Sequence, residues 1–245
     1  MSLLTVSLDM VGVMRETGRR KEPDPAQAAM FAELAGAGGV SVQIRRDRKY
    51  LRDRDLYILK NIVKTKLNIG MPPTDDIIQR VLEVKPHSVT IVADLADSDS
   101  PATAVDLHSG TIDFSEISTR FKGVGVRVYY FIEPEIESVK GAAKAQADGV
   151  VLVCSAYAEA PTISEAKAEL DRIDRAAQFA AKQNLTVIAG RGIHYGNVQP
   201  LAELGNIQEY IVGRAICTRA LFFGFDRAVR EMIQVIENSQ RLIVN

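Results

Sequence analysis

The sequence predicts a TIM barrel with extra short helices, read as one unit over residues 1–245. Three observations carry that expectation. Eight short apolar, β-branched runs recur along the 245 residues. They lack strict polar–apolar alternation, as strands buried on both faces do. Amphipathic helical windows with short connections separate them, and eight such units in about 250 residues suit this architecture. A doubly wound open sheet shares the local pattern and is the competing arrangement.

The strand expectations, in order, are Leu3–Leu8, Gly39–Ile44, Lys66–Gly70, Ser88–Ala93, Val126–Ile132, Gly149–Cys154, Leu185–Gly190 and Glu209–Gly213. Between the first two, "DPAQAAMFAELAGAG" places Asp24 at an N-cap and Pro25 at the first helical position. "TDDIIQRVLEV" opens on Thr74 as a cap. "ISEAKAELDRIDRAAQFAAKQN" is a long helix rich in opposite charges at i,i+4. A last helix is expected over roughly Arg219–Arg241. The longest irregular stretch, Asp94–Thr111, follows the fourth strand, and a loop that long in a compact domain is usually functional.

Composition narrows the function classes. Hydrophobic residues are 47% and charged residues 25%, ordinary for a globular domain. A net charge of −1 points to neither a nucleic-acid nor a membrane partner. No run nears the ~18 apolar residues of a membrane span. The N-terminus has no signal-peptide pattern, and the two cysteines, Cys154 and Cys217, form no motif, so a reduced cytoplasmic chain is expected. The three histidines have no metal-ligand spacing, and no GxGxxG or P-loop pattern calls for a nucleotide cofactor. No metal and no cofactor are expected.

In a TIM barrel the site lies at the C-terminal ends of the strands. Asp9 and Arg15 follow the first strand, with Arg19, Arg20 and Lys21 on the loop. Asp9 suits orienting a substrate hydroxyl or amine and an arginine suits a phosphate; the alternative is a loop-capping Asp9 beside a solvated basic face. In "VQIRRDRKYLRDRD" the aspartates cancel much of the basic field, which argues against nucleic acid, while Arg45 is placed to clamp a phosphate. Gly70 ends the third strand and brings no side chain. In "IAGRGIHYGN", glycines flank Arg191, and His194 is a candidate acid or base, or a histidine bonded to nearby backbone. His87 belongs on the opposite face of the barrel. His108 would need its loop to fold over as a lid. Cys154 reads as a packed thiol.

Several blocks of the chain resemble one known family. They are "PDPAQAAMFAELAGAGGVSV", "IRRDRKYLRDRDLYIL", "LNIGMPPTDDI", "VIAGRGIHYGNV" and "IVGRAI". Together they run nearly end to end, and they resemble the pyridoxine 5′-phosphate synthase family. The resemblance implies a TIM barrel that condenses 1-deoxy-D-xylulose 5-phosphate with 3-amino-2-oxopropyl phosphate in vitamin B6 biosynthesis. It also implies a homo-oligomer, since that family is octameric; a hetero-oligomer with another family member stays open.

The resemblance breaks at the chemistry. Gln43 stands where the family has a histidine base, Gly70 where it has an essential glutamate, and Arg191 where it has a proton-donating histidine. Tyr50 replaces a phosphate-holding histidine, Val151 a charge-stabilising glutamate, and "SPATA" a phosphate segment. Ser7 and Met10 replace the ends of an N-x-D-H motif, and Gln208–Glu209 replace a G-H pair that binds the second phosphate. Asp9, Arg15, Arg45, Asp47, Gly190, Gly192 and Asn197 are kept. The substrate- or phosphate-binding candidates are therefore Asp9, Arg15, Arg45, Tyr50, Arg191 and Gly192, with Asp9 and His194 as the catalytic candidates. Glutamine, glycine and a permanently protonated arginine cannot move protons as the family's residues do. The expected function is binding of a phosphorylated small molecule, with the ring-closing chemistry lost or replaced. The alternatives are a catalytically silent paralogue acting as an assembly or regulatory partner, and a working synthase.

Overall fold

The computed structural model describes residues 3–18, 21–93 and 102–244, with side chains through 241. Eight parallel strands close into a barrel in sequence order, β1 pairing with both β2 and β8. They are β1 Leu3–Ser7, β2 Gly39–Gln43, β3 Lys66–Met71, β4 Ser88–Ile91, β5 Arg127–Ile132, β6 Gly149–Val153, β7 Thr186–Gly190 and β8 Glu209–Val212. Closure excludes the open sheet. The strands mostly stop one or two residues short of the sequence expectation, because the chain turns into the loops that carry the mouth; β3 instead runs on to Met71.

The helices are α1 Asp9–Thr17, α2 Pro25–Leu34, α3 Asp53–Ile62, α4 Asp75–Val84, α5 Phe114–Lys122, α6 Ile136–Lys144, α7 Ser155–Ala158, α8 Ile163–Lys182, α9 Val198–Ala202, α10 Arg214–Phe223 and α11 Phe225–Val244. Asp24 caps α2 as expected, accepting from the Ala26 amide at 2.9 Å, with Pro25 first in the helix. Thr74 precedes α4, but its hydroxyl donates to Asp76 at 2.9 Å instead of accepting from the backbone. Two expectations are corrected. The segment after β1, read as a loop, begins with α1. The single last helix is two, broken at Gly224, whose φ of 85° lies in the left-handed region that favours glycine.

Alternate residues of each strand, such as Val40, Val42, Ile69, Val128, Leu152 and Val187, are buried against the helices. The intervening positions fill the barrel. Val92, Tyr129, Phe131, Val151, Val153 and Ile188 form a separate buried apolar cluster there. Opposite them, Asn68 donates to Ser41 and accepts from Ser88 and Thr90, each at 3.0 Å. Among the described residues no helix is long and apolar enough to cross a membrane.

Candidate functional site

The mouth is built first from the ends of β1, β2 and β3. Asp9 opens α1 immediately beyond β1. One carboxylate oxygen accepts from the Ser7 hydroxyl at 2.8 Å and the other from the Gln43 amide at 2.7 Å. The side chain therefore ties α1 to the end of β2, rather than capping its own loop. Burial pushes the Asp9 pKa up, against the pull of the Gln43 amide, the Ser7 hydroxyl and the nearby Arg45 charge. Gln43 pairs in register with Gly70. A Cβ on Gly70 would lie 3.5 Å from Gln43 Cβ and Cγ, an ordinary contact, so packing does not demand glycine there. Beyond β2, the half-buried Arg45 lies over the Tyr50 ring at 5.6 Å, and Lys49 over the same ring at 5.3 Å.

Arg15 is not presented to this mouth as a phosphate ligand. It is buried and makes a bidentate pair with Asp55, at 3.1 and 2.6 Å, while also donating to the Tyr50 carbonyl at 2.9 Å. Burial opposes the Asp55 charge, but the Arg15 bond, the Arg52 amide and the nearby arginine charges outweigh it and hold the pKa down. Its work is to brace the loop that carries Arg45 and Tyr50. Gly12 makes that bracing close, since a Cβ there would meet the Tyr50 carbonyl oxygen at 2.9 Å. Nothing local in the sequence links Arg15 to a partner forty residues away.

The loop after β7 forms the other part. Arg191 and Gly192 both have positive φ, 66° and 82°. Glycine is required at 192, where a Cβ would lie 2.6 Å from Ala158 Cβ. Arg191, half-buried, holds the same left-handed backbone with a side chain, a conformation that costs about 1 kcal/mol. Asn197 fixes the turn: its side chain accepts from the His194 amide at 2.7 Å and donates to the Gly192 carbonyl at 3.0 Å. His194 is exposed, and its Nδ1 accepts from the Gly196 amide at 3.1 Å, which is the backbone-bonded alternative. The next turn of chain to reach the mouth is the start of α10, at Gly213 and Arg214. Gly213 backs on Ser7, where a Cβ would lie 2.9 Å from the hydroxyl.

Other candidates fall elsewhere. Gln208 and Glu209 lie at the N-terminal end of β8, at the opposite end of the barrel from the mouth. Gln208 bonds the Val187 amide, and Glu209 accepts from Thr5 at 2.6 Å and pairs with Lys66 at 3.4 Å. The expectation that they replace a phosphate site at the mouth is corrected. His87 also lies at that opposite end, as expected, just before β4. His108 leans on α6, its Nε2 3.1 Å from the Glu137 carbonyl, and does not close over the mouth. Cys154 is fully buried, its thiol pushed up to about 12 by burial. Val151 sits in the apolar cluster, and Ala102 and Ala104 pack on the same cluster. Arg19, Arg20 and residues 94–101, including the first half of "SPATA", lie outside the described residues.

Residues 4–238 match the family described as "Pyridoxal phosphate biosynthesis protein PdxJ". The chain belongs to this family. Its relatives include pyridoxine 5′-phosphate synthase of Pelobacter propionicus, 38% identical over 97% of this chain and 99% of that protein. The synthase of Geobacter sulfurreducens is equally similar, at 38% over the same shares. Two solved structures resemble this PdxJ-family chain in fold alone. A 4-hydroxy-2-oxoglutarate aldolase from TTHB1 superposes with a TM-score of 0.62 at 14% identity, covering 95% and 94% of the two chains. A phosphoribosylanthranilate isomerase from Thermotoga maritima gives 0.59 at 10% identity, covering 97% and 100%.

Proposed function

We propose that this PdxJ-family barrel binds a phosphorylated small molecule at the mouth, and that the ring-closing chemistry of its relatives is lost or replaced. The observation that supports this reading is one cluster. The pinned Asp9 carboxylate and the Arg45 guanidinium stand together at the strand ends, while the neighbouring proton-transfer positions hold Gln43 and Gly70. Arg45 offers a planar donor set that matches a phosphate. Arg191 adds a permanent positive charge on the β7 loop, and the start of α10 adds backbone amides with the favourable end of a helix dipole. Asp9, with its raised pKa, is the group at the mouth best suited to exchange a proton with a bound hydroxyl or amine.

A second reading, that the chain is itself a pyridoxine 5′-phosphate synthase, is favoured by its end-to-end similarity to proteins of that name. Turnover separates the two. On mixing the pure protein with 1-deoxy-D-xylulose 5-phosphate and 3-amino-2-oxopropyl phosphate, no pyridine chromophore is expected. Calorimetry should still detect deoxyxylulose phosphate, with affinity reduced about tenfold or more in Arg45→Ala, the loss of a charge-assisted contact. Robust turnover abolished by Arg45→Ala would overturn the proposal in favour of the synthase. No binding at millimolar ligand would overturn it in favour of a silent assembly partner.

A further inference from the structure

The opposite end of the barrel holds a cavity that the mouth chemistry does not use. Its volume is about 430 Å³, and it opens among the segments that lead into β3, β4 and β5. Lys60, Lys85, His87 and Arg127 line it, together with Thr65. No aspartate or glutamate is among its lining residues. Two carboxylates of this neighbourhood are already engaged. Glu33 accepts from the amides of Lys64 and Thr65 at 2.9 and 2.6 Å, and Glu209 is held by Thr5 and Lys66.

The cavity is therefore lined by two lysines, an arginine and a half-buried histidine. The Nε2 of His87 is buried and has no hydrogen-bond partner in the structure. Leaving such a group unsatisfied is costly, and a turn of the ring toward the cavity would let a ligand oxygen satisfy it. Arg127 also hydrogen-bonds the Tyr129 hydroxyl. Lys85 sits at the C-cap of α4 with φ 51°, which turns the chain abruptly beside His87. Burial, followed by the charges of Arg127 and Lys66, favours the neutral ring of His87 and so leaves it able to donate or accept one bond.

We propose that this cavity is a second anion site, taking the phosphate group of a small phosphorylated molecule at the end of the barrel remote from the mouth. Three cations lining one cavity match the charge of a phosphate dianion or pyrophosphate better than that of a single carboxylate. The volume suits a small organic phosphate rather than a macromolecule. Nothing in this assignment depends on the mouth being active or occupied.

The test uses the full chain, with inorganic phosphate and pyrophosphate as probes and the ring resonances of His87 as a local report. Pyrophosphate should shift those resonances saturably in the parent and equally in Arg45→Ala, which alters only the mouth. Lys60→Glu combined with Lys85→Glu should weaken the titration about tenfold or more. The same charge change on exposed Lys144 and Lys167 should leave it unchanged. If the double variant fails to fold by circular dichroism, Lys85→Gly serves, since glycine suits the positive φ. It should weaken the titration about threefold or more. An unmoved His87 at about 10 mM pyrophosphate, or a titration indifferent to the Lys60 and Lys85 changes, would overturn the proposal.

Discussion

From β1 to β4 the barrel interior carries Thr5, Ser41, Asn68, Ser88 and Thr90, whereas from β5 to β7 it carries Tyr129, Phe131, Val151, Val153 and Ile188. The polar side is bonded internally, with Asn68 as its hub, and leads up to Asp9, Gln43 and Gly70 at the mouth. The apolar side has a continuous hydrocarbon surface. A charge that develops over the first side finds dipoles already oriented, as electrostatic stabilisation requires; over the second it finds none. Val151 is the residue where this difference bears on the family reaction, because the resemblance places a charge-stabilising glutamate there.

Rebuilding the proton-transfer set should produce the largest effect. Gln43→His, Gly70→Glu and Arg191→His together should raise turnover of the two family substrates by at least about 10²-fold, since each positioned acid or base supplies roughly 10²–10⁴. A flat response in a chromophore assay would point instead to the apolar side, at Val151. Placing a carboxylate in that side, Val151→Glu, should cost about 3–5 kcal/mol in urea unfolding at neutral pH, because the charge has no partner. A loss under about 1 kcal/mol would mean that water reaches the cluster, and the contrast between the sides would fall.

Removing the polar hub, Asn68→Ala, breaks three bonds and should cost about 2–3 kcal/mol by the same measurement. The Asp9 carboxylate should show itself through pH. Its folded pKa is raised above 3.8, so the folded state binds the proton more tightly than the unfolded state. Its contribution to stability is then complete below about pH 3.8 and is lost as pH rises through the folded pKa. Relative to Asp9→Asn, the parent should gain stability as pH is lowered from neutral, and parallel curves would contradict a raised pKa. Gly70→Ala should be nearly silent, within about 0.5 kcal/mol, because its Cβ meets only ordinary contacts.

Much of the architecture was legible before the structure. The eight apolar runs and the caps at Asp24 and Pro25 are local signals, and each strand lies within a residue or two of its expected place. The break at Gly224 was missed because helical residues flank it on both sides, and only the positive φ of one glycine reveals it. The site was legible unevenly. Asp9, Gln43, Gly70 and Arg45 gather as expected because they end adjacent strands. Arg15 was misread because its partner Asp55 comes from another helix. Glu209 was misread because the boundary of β8, which begins at this residue, puts it at the end of the barrel away from the mouth.

The sequence by itself determined the barrel and the family, because patterning and residue identity are written along the chain. Only the tertiary structure decided which charges stand at the mouth and which pair with each other. It withdrew Arg15 into a brace, sent Glu209 to the far end, and divided the interior into a bonded polar side and an apolar one. Those outcomes depend on ring closure, which brings residues distant in sequence within hydrogen-bond reach and sets the burial of each charge.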